Sequence, residues 1–292
     1  MPQEPRVLAT GIYFGEGPRW RDGRLWFSDF YAHRVNSVSL AGDLRTEFEI
    51  DDQPSGLGWM PDGSMLIVSM VKRQVLRRFP DDQIRLHADL GDLADFHCND
   101  MVVDALGRAY VGNFGFDLGA EIAARGMDQV IATHATARLV RIDPDGSLKT
   151  AASDMHFPNG SVITPGGRTL IIAETLAGRL TAFDIAADGD LSNRRVWAPT
   201  WPRVPDGIAL DAEGAVWIAN ASAPECVRIR EGGEVLEVIE TGQPCYACAL
   251  GGDDGRTLFM LTAGALVAGD DDGTPKGRLL VAQVSAPHAG LP

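Results

Sequence analysis

Apolar runs short enough for strands alternate with glycine turns along the chain. A turn followed by a run of β-branched, aromatic and aliphatic residues recurs six times: RDGRLWFSDF from Arg21, PDGSMLIVSM from Pro61, ALGRAYVGNF from Ala105, GGRTLIIAET from Gly166, AEGAVWIANA from Ala212 and DGRTLFMLTA from Asp254. These turns accept the positive φ a hairpin needs, and the residues after them favour strand. Strand-like segments also fall between them, such as RVNSVSL from Arg34, ARLVRID from Ala137 and RLLVAQV from Arg278, while long helical periodicity is nearly absent. The turn glycines Gly23, Gly63, Gly107, Gly167, Gly214 and Gly255 are spaced 40, 44, 60, 47 and 41 residues apart. That period fits a four-stranded propeller blade better than a sandwich, whose turns do not repeat in register. The pattern predicts an all-β fold, a six-bladed β-propeller with residues 1–292 as one domain.

A ring must close. The segment RVLATGIYF precedes the first turn glycine without a partner of its own, so Val7–Ala9 is expected beside Leu279–Val284, the N- and C-terminal strands sharing one blade. The longest interval contains DLGAEIAARGMDQVIATHATA, so residues 117–136 are expected as a partly helical insertion at a blade edge. Such an insertion can cover one end of the channel as a lid, or be a solvated excursion.

Counting back from each turn glycine to the start of the preceding strand gives the equivalent positions Glu16, Ser55, Asn99, Asn159, Asp206 and Ala247. In a propeller these positions ring the central axis at one end, where four of the six offer a carboxylate or amide oxygen. Carboxylates gathered near an axis repel unless protons or a cation neutralise them. A divalent metal is the simplest solution, and a set of hard oxygens without thiolate or imidazole favours calcium, manganese or magnesium ahead of zinc. Turn chemistry also favours Asn, Asp and Gly here, but Ser55 and Ala247 show that the turn does not require an acidic or amide side chain.

The runs FGEGPRW (from Phe14), CND (from Cys98), FPNG (from Phe157), PDGIALDAEGAVWIA (from Pro205) and GGDDGRTLFMLT (from Gly251), in this order, resemble the family of senescence marker protein (regucalcin), gluconolactonase and luciferin-regenerating enzyme over nearly the whole chain. The resemblance implies a six-bladed propeller with one divalent cation in its channel, Ca2+ first and Mn2+, Mg2+ or Zn2+ as alternatives, and hydrolysis of a small-molecule lactone. It implies metal ligands at Glu16, Asn159 and Asp206, Asp206 as the proton acceptor, and a substrate-binding Asn at Asn99. Where sugar-lactone members carry an Arg two residues before that Asn, this chain has His97. The carboxylate that some members use for sugar hydroxyls would fall near Asp117. Asp100, beside Asn99, is a further carboxylate for substrate or for capping a turn. Trp59, Met70, Phe114 and Phe116 are expected to wall a pocket suited to a less polar ring. The alternatives are metal-assisted hydrolysis or ring opening of a non-lactone substrate, and a non-catalytic, metal-stabilised binding propeller.

Charge narrows the partners. With 26 Lys and Arg against 40 Asp and Glu the net charge is −14, and no basic run could neutralise phosphates, so nucleic acid is not expected. No basic segment leads an apolar run at the N-terminus and no stretch of apolar residues is long enough to span a bilayer, so neither signal peptide nor membrane association is expected. Four unevenly placed cysteines, Cys98, Cys226, Cys245 and Cys248, do not make a disulfide framework, which points to reduced thiols in a cytoplasm. Cys245 and Cys248 have CxxC spacing but lack the second pair that would make a zinc site. His97 and His156 stand just ahead of site motifs and are expected at the same mouth; His134 lies in the insertion. Oligomeric state is left open by the sequence.

Overall fold

The computed structural model describes residues 4–264 and 274–292, and these form six antiparallel sheets of four strands each. The innermost strands of blades 1 to 6 are Gly15–Arg21, Pro54–Trp59, Cys98–Val103, Pro158–Ile163, Pro205–Leu210 and Cys245–Gly251. Each leads through its turn to the second strand, and the six turn glycines have φ between 69° and 85°, a region closed to most side chains. Inner and second strands are covered on both faces by neighbouring blades. They therefore read as continuous apolar runs, as in the fully buried Met65–Ser69 and Thr257–Thr262. Outermost strands such as Ile84–Asp89 are largely exposed and polar.

The core lies mainly between blades. One cluster joins Leu66 and Val68 of blade 2 to Met101, Val111 and Val140 of blade 3, and another joins Ile171 and Ala173 of blade 4 to Ile208 and Ile218 of blade 5. The ring closes as expected: Val7 pairs with Leu280 and Ala9 with Leu279, so an N-terminal strand covers the edge of blade 6. At the end of the channel remote from the strand starts, the chain from Pro287 to Pro292 runs under the blades, bridging His288 to Asp211 and Leu291 to Ile163. With Arg19, Trp20, Leu210 and Leu250 it lines that end. The opposite end carries the insertion, two helices, α1 (Leu118–Arg125) and α2 (Met127–Thr133), between the second and third strands of blade 3.

Candidate active site

Every inner strand is irregular at the same place. Its pairing with the second strand shifts between Glu16 and Arg19, Pro54 and Leu57, Cys98 and Met101, Pro158 and Ser161, Pro205 and Ile208, and Cys245 and Ala247. Such a bulge bends the strand and re-aims the side chains beside it. The equivalent residues at this point are Glu16, Ser55, Asn99, Asn159, Asp206 and Tyr246. The last corrects the sequence reading, which put Ala247 there. Blade 6 has one more residue before its turn glycine, so Ala247 aligns with Gly207, whose added Cβ would stand 2.7 Å from Ala247 Cα. Tyr246 donates its hydroxyl to the Gly264 carbonyl (3.2 Å) and packs on Phe14.

The next residue along is Gly in four blades. A Cβ on Gly56 would lie 2.4 Å from Met101 N, and one on Gly160 would lie 2.5 Å from Ile208 N. Inner strands thus approach backbone to backbone around the axis. This approach buries Glu16, Asn99, Asn159 and Asp206, none more than 6% exposed.

The buried set is electrostatically costly. Burial, then repulsion from Asp206 and Asp100, pushes the Glu16 pKa well above its usual value; burial and Asp100 do the same to Asp206. Asn159 gives its Nδ2 hydrogen to Thr175 Oγ1 (3.2 Å), which itself donates to the Pro205 carbonyl (2.8 Å). Asn159 Oδ1, Asp206 Oδ1, Asn99 Nδ2 and Ser55 Oγ remain buried without a hydrogen-bond partner. Buried polar atoms are rarely left so. Two carboxylates and an amide oxygen suit a hard divalent cation, which would satisfy the orphaned oxygens and cancel the repulsion. Among the described residues no cluster of three or more His, Cys, Asp or Glu could hold a metal, so an amide oxygen is needed to complete this set.

The other sequence candidates are placed as follows. Asp100 is buried next to the set, but its Oδ1 accepts from Arg19 Nη2 (3.0 Å) and from its neighbour Met101 N (2.8 Å). Burial raises its pKa, against the pull of Arg19. Asp117 is exposed and caps α1, its Oδ1 accepting from Ala120 N (2.9 Å). His97 is half-buried and stacked on Phe96 at 4.1 Å; burial lowers its pKa, with Asp117 opposing. Phe114 stacks on Phe157 at 4.5 Å, and Phe116 lies 6.1 Å from His134. Met70 is buried in the core between blades 2 and 3. Trp59 does not belong to this wall: the inner strand runs from Ser55 to Trp59 and carries it to the far end, edge-on to Trp26 and under Arg21.

Sequence reasoning missed Arg19 and Glu174. Arg19 was visible as the one cation in the inner-strand run GEGPRW, three residues after Glu16. It spans three blades, with Nε to the Leu57 carbonyl (2.9 Å) and Nη2 to Asp100 and the Met101 carbonyl. Glu174 is fully buried; burial opposes its charge, yet bonds from Thr181, His156 N, Arg179 and Arg194 hold its pKa low. It thereby fixes the backbone of His156, whose Nδ1 lies 2.8 Å from His134 Nε2 of the insertion.

The sequence model of the SMP-30/Gluconolactonase/LRE-like region matches residues 14–264. The chain belongs to this family. It is 29% identical over 280 residues to pentonolactonase XacC of Haloferax volcanii, covering 92% of this chain and 87% of that protein. Among solved structures it resembles luciferin-regenerating enzyme with a TM-score of 0.83 at 18% identity, covering 100% and 99% of the two chains. It also resembles a calcium-binding protein, regucalcin, from Agrobacterium tumefaciens, with a TM-score of 0.77 at 22% identity over 97% and 94%. At such identities the structural likeness speaks for the fold, and the family's propeller is the one observed here.

Proposed function

We propose that this chain is a divalent-metal-dependent lactone hydrolase, with Glu16, Asn159 and Asp206 holding the metal and Asn99 facing the substrate. The observation that carries this reading is the pair of buried, unpartnered oxygens, Asn159 Oδ1 and Asp206 Oδ1, beside a second carboxylate, Glu16, whose pKa burial and the neighbouring carboxylates push up. The pentonolactonase relative supports the reaction class, and the calcium-binding neighbour supports calcium as the first choice of metal. Four free, buried cysteines suit a reducing compartment such as the cytoplasm.

A bound divalent cation supplies Lewis acidity at the lactone carbonyl and stabilises the developing oxyanion. The protein's own groups do the rest. Asp206 takes the proton of the attacking water and returns it to the ring oxygen as the ester C–O bond breaks, leaving a hydroxy acid. Asn99 directs its unpartnered Nδ2 at a substrate oxygen, with His97 on the wall beside it. Phe14, Phe114 and Phe157 keep bulk water from the approach.

Acid release from a lactone panel tests this. Turnover should vanish in chelator and return with calcium, manganese, magnesium or zinc. Asp206→Asn and Glu16→Gln should each lower kcat by about 10²–10³ while the propeller stays folded. No turnover of any lactone with any of the four metals would overturn the reading in favour of another ring opening or a binding scaffold.

A further inference from the structure

Two positions before each axial residue, and therefore toward the mouth, stand Phe14, Gln53, His97, Phe157, Val204 and Pro244. The same backbone bond recurs at all six. Each carbonyl accepts from the first residue beyond the second strand of its blade: Phe30 (3.2 Å), Met70 (2.9 Å), Phe114 (2.9 Å), Thr175 (3.1 Å), Ala221 (3.0 Å) and Ala263 (3.3 Å). Sixfold repetition thus gives the mouth two tiers above the buried carboxylates. Neither tier contains a carboxylate, an ammonium or a guanidinium. Beyond Gln53 and His97 the only side-chain hydrogen-bonding group in them is Thr175 Oγ1, already committed to Pro205 and Asn159.

Most cations on surrounding strands are also committed, the exposed Arg278 at the start of the third strand of blade 6 being the exception among the described residues. Arg34 pairs with Asp29, Arg179 and Arg194 with Glu174, and Arg73 binds the Gly91 and Ala94 carbonyls. Aromatic carbon gathers in two pairs: in blade 1 Phe14 lies on Phe30 at 4.6 Å, and Phe114 of blade 3 lies on Phe157 of blade 4 at 4.5 Å. Phe30 and Phe114 remain half-exposed although both abut the core.

We infer that the substrate of this site is an uncharged lactone bearing a hydrocarbon substituent, its ring over Asn99 and its chain against Phe30 and Phe114. This rests on reading the axial set as a lactone-opening site. A polyhydroxylated ring would press several hydroxyls on phenyl faces with only Gln53, His97, Asn99 and Ser55 to receive them, and each buried hydroxyl left unpaired weakens binding by about tenfold. An acidic lactone would meet no free cation in either tier. A hydrocarbon chain loses nothing there and gains by leaving water.

The test uses the full chain with metal added. For γ-lactones of increasing alkyl length, kcat/KM should rise about fourfold for each methylene that buries, and aldonolactones should fall at least tenfold behind the longer alkyl rings. Phe114→Ala should flatten the chain-length ladder, and His97→Arg should shift preference toward a lactone bearing a carboxylate. Calorimetric binding of the matching γ-lactams, which are not hydrolysed, reads the seat apart from the chemistry. A lactam ladder without lactone turnover would keep the apolar seat and overturn the hydrolase reading alone. A flat lactam ladder, or aldonolactones preferred over alkyl lactones, would overturn the apolar seat.

Discussion

Arg19 Nη2 lies 3.0 Å from Asp100 Oδ1, with both side chains only 6% exposed. The two residues come from blades 1 and 3, and the guanidinium bridges the ground between them through Leu57 of blade 2. It is the cation within a group of three buried carboxylates, Glu16, Asp100 and Asp206. Fully ionised, the four side chains leave two negative charges, the amount a divalent cation cancels.

The first prediction concerns this pair. Arg19→Met leaves Asp100 buried without its partner and should destabilise the fold by about 3–5 kcal/mol. Adding Asp100→Leu removes the stranded charge and should recover most of that loss. Denaturant midpoints of the two single variants and the double variant check it; equal, additive losses would show that the pair is not coupled.

Gly160→Ala would put a Cβ 2.5 Å from Ile208 N and 2.6 Å from the Asp206 carbonyl. Blades 4 and 5 must then part at the axis, moving Asn159 from Asp206. The expected cost is about 1–3 kcal/mol in stability, with a loss of calcium affinity of at least about tenfold. Calorimetric titration of the folded variant measures the second effect.

Metal removal should reveal the strained carboxylates. The metal-free fold holds protons on Glu16 and Asp206 to a higher pH than the unfolded chain does. This stability is therefore full below the ordinary carboxylate range and is lost as pH rises through the elevated folded values. Urea midpoints in chelator should fall across that rise, and saturating calcium should abolish the fall, with proton release on binding visible in buffers of different ionisation heat. A chelated protein whose stability only climbs with pH from about 4 to 7 would contradict it.

The insertion should open in acid. His134 Nδ1 faces the Val130 and Ile131 carbonyls at 3.0 and 3.2 Å, so it carries the hydrogen and Nε2 accepts from His156 Nδ1. Burial lowers the His156 pKa; Glu174 opposes, while His134, Arg179 and Arg194 reinforce it. The latch is closed above the ordinary histidine range; a single proton still leaves an N–H···N bond between the rings, and only protonation of both as pH falls sets N–H against N–H. Amide exchange over residues 118–133 should quicken between about pH 7.5 and 5.5, and His134→Ala should remove that pH dependence. Equal protection at both pH values would rule the latch out.

Blade number, the strand closing the ring and the axial grouping of Glu16, Asn99, Asn159 and Asp206 were legible because each follows from a local signal repeated at a fixed offset. Positive-φ turn glycines mark the hairpins, double-sided burial makes apolar runs, and the same bulge recurs at every inner-strand start. Ala247 was misplaced by one residue because blade 6 lengthens its turn, and in a strand a single step exchanges one face for the other. Trp59 was assigned to the mouth because its type suits a pocket, but strand direction carries it away.

By itself the sequence determined the repeat, and the repeat determines which backbone positions face the axis, since both depend on neighbours in the chain. Only the tertiary structure decided that Arg19 would meet Asp100, that His134 would reach His156, and that Asn159 would give its Nδ2 hydrogen to Thr175 and so keep its oxygen unpaired. Those contacts join residues separated by 81, 22 and 16 positions. Their geometry depends on how closely blades approach and how the bulges turn side chains, which no periodicity records.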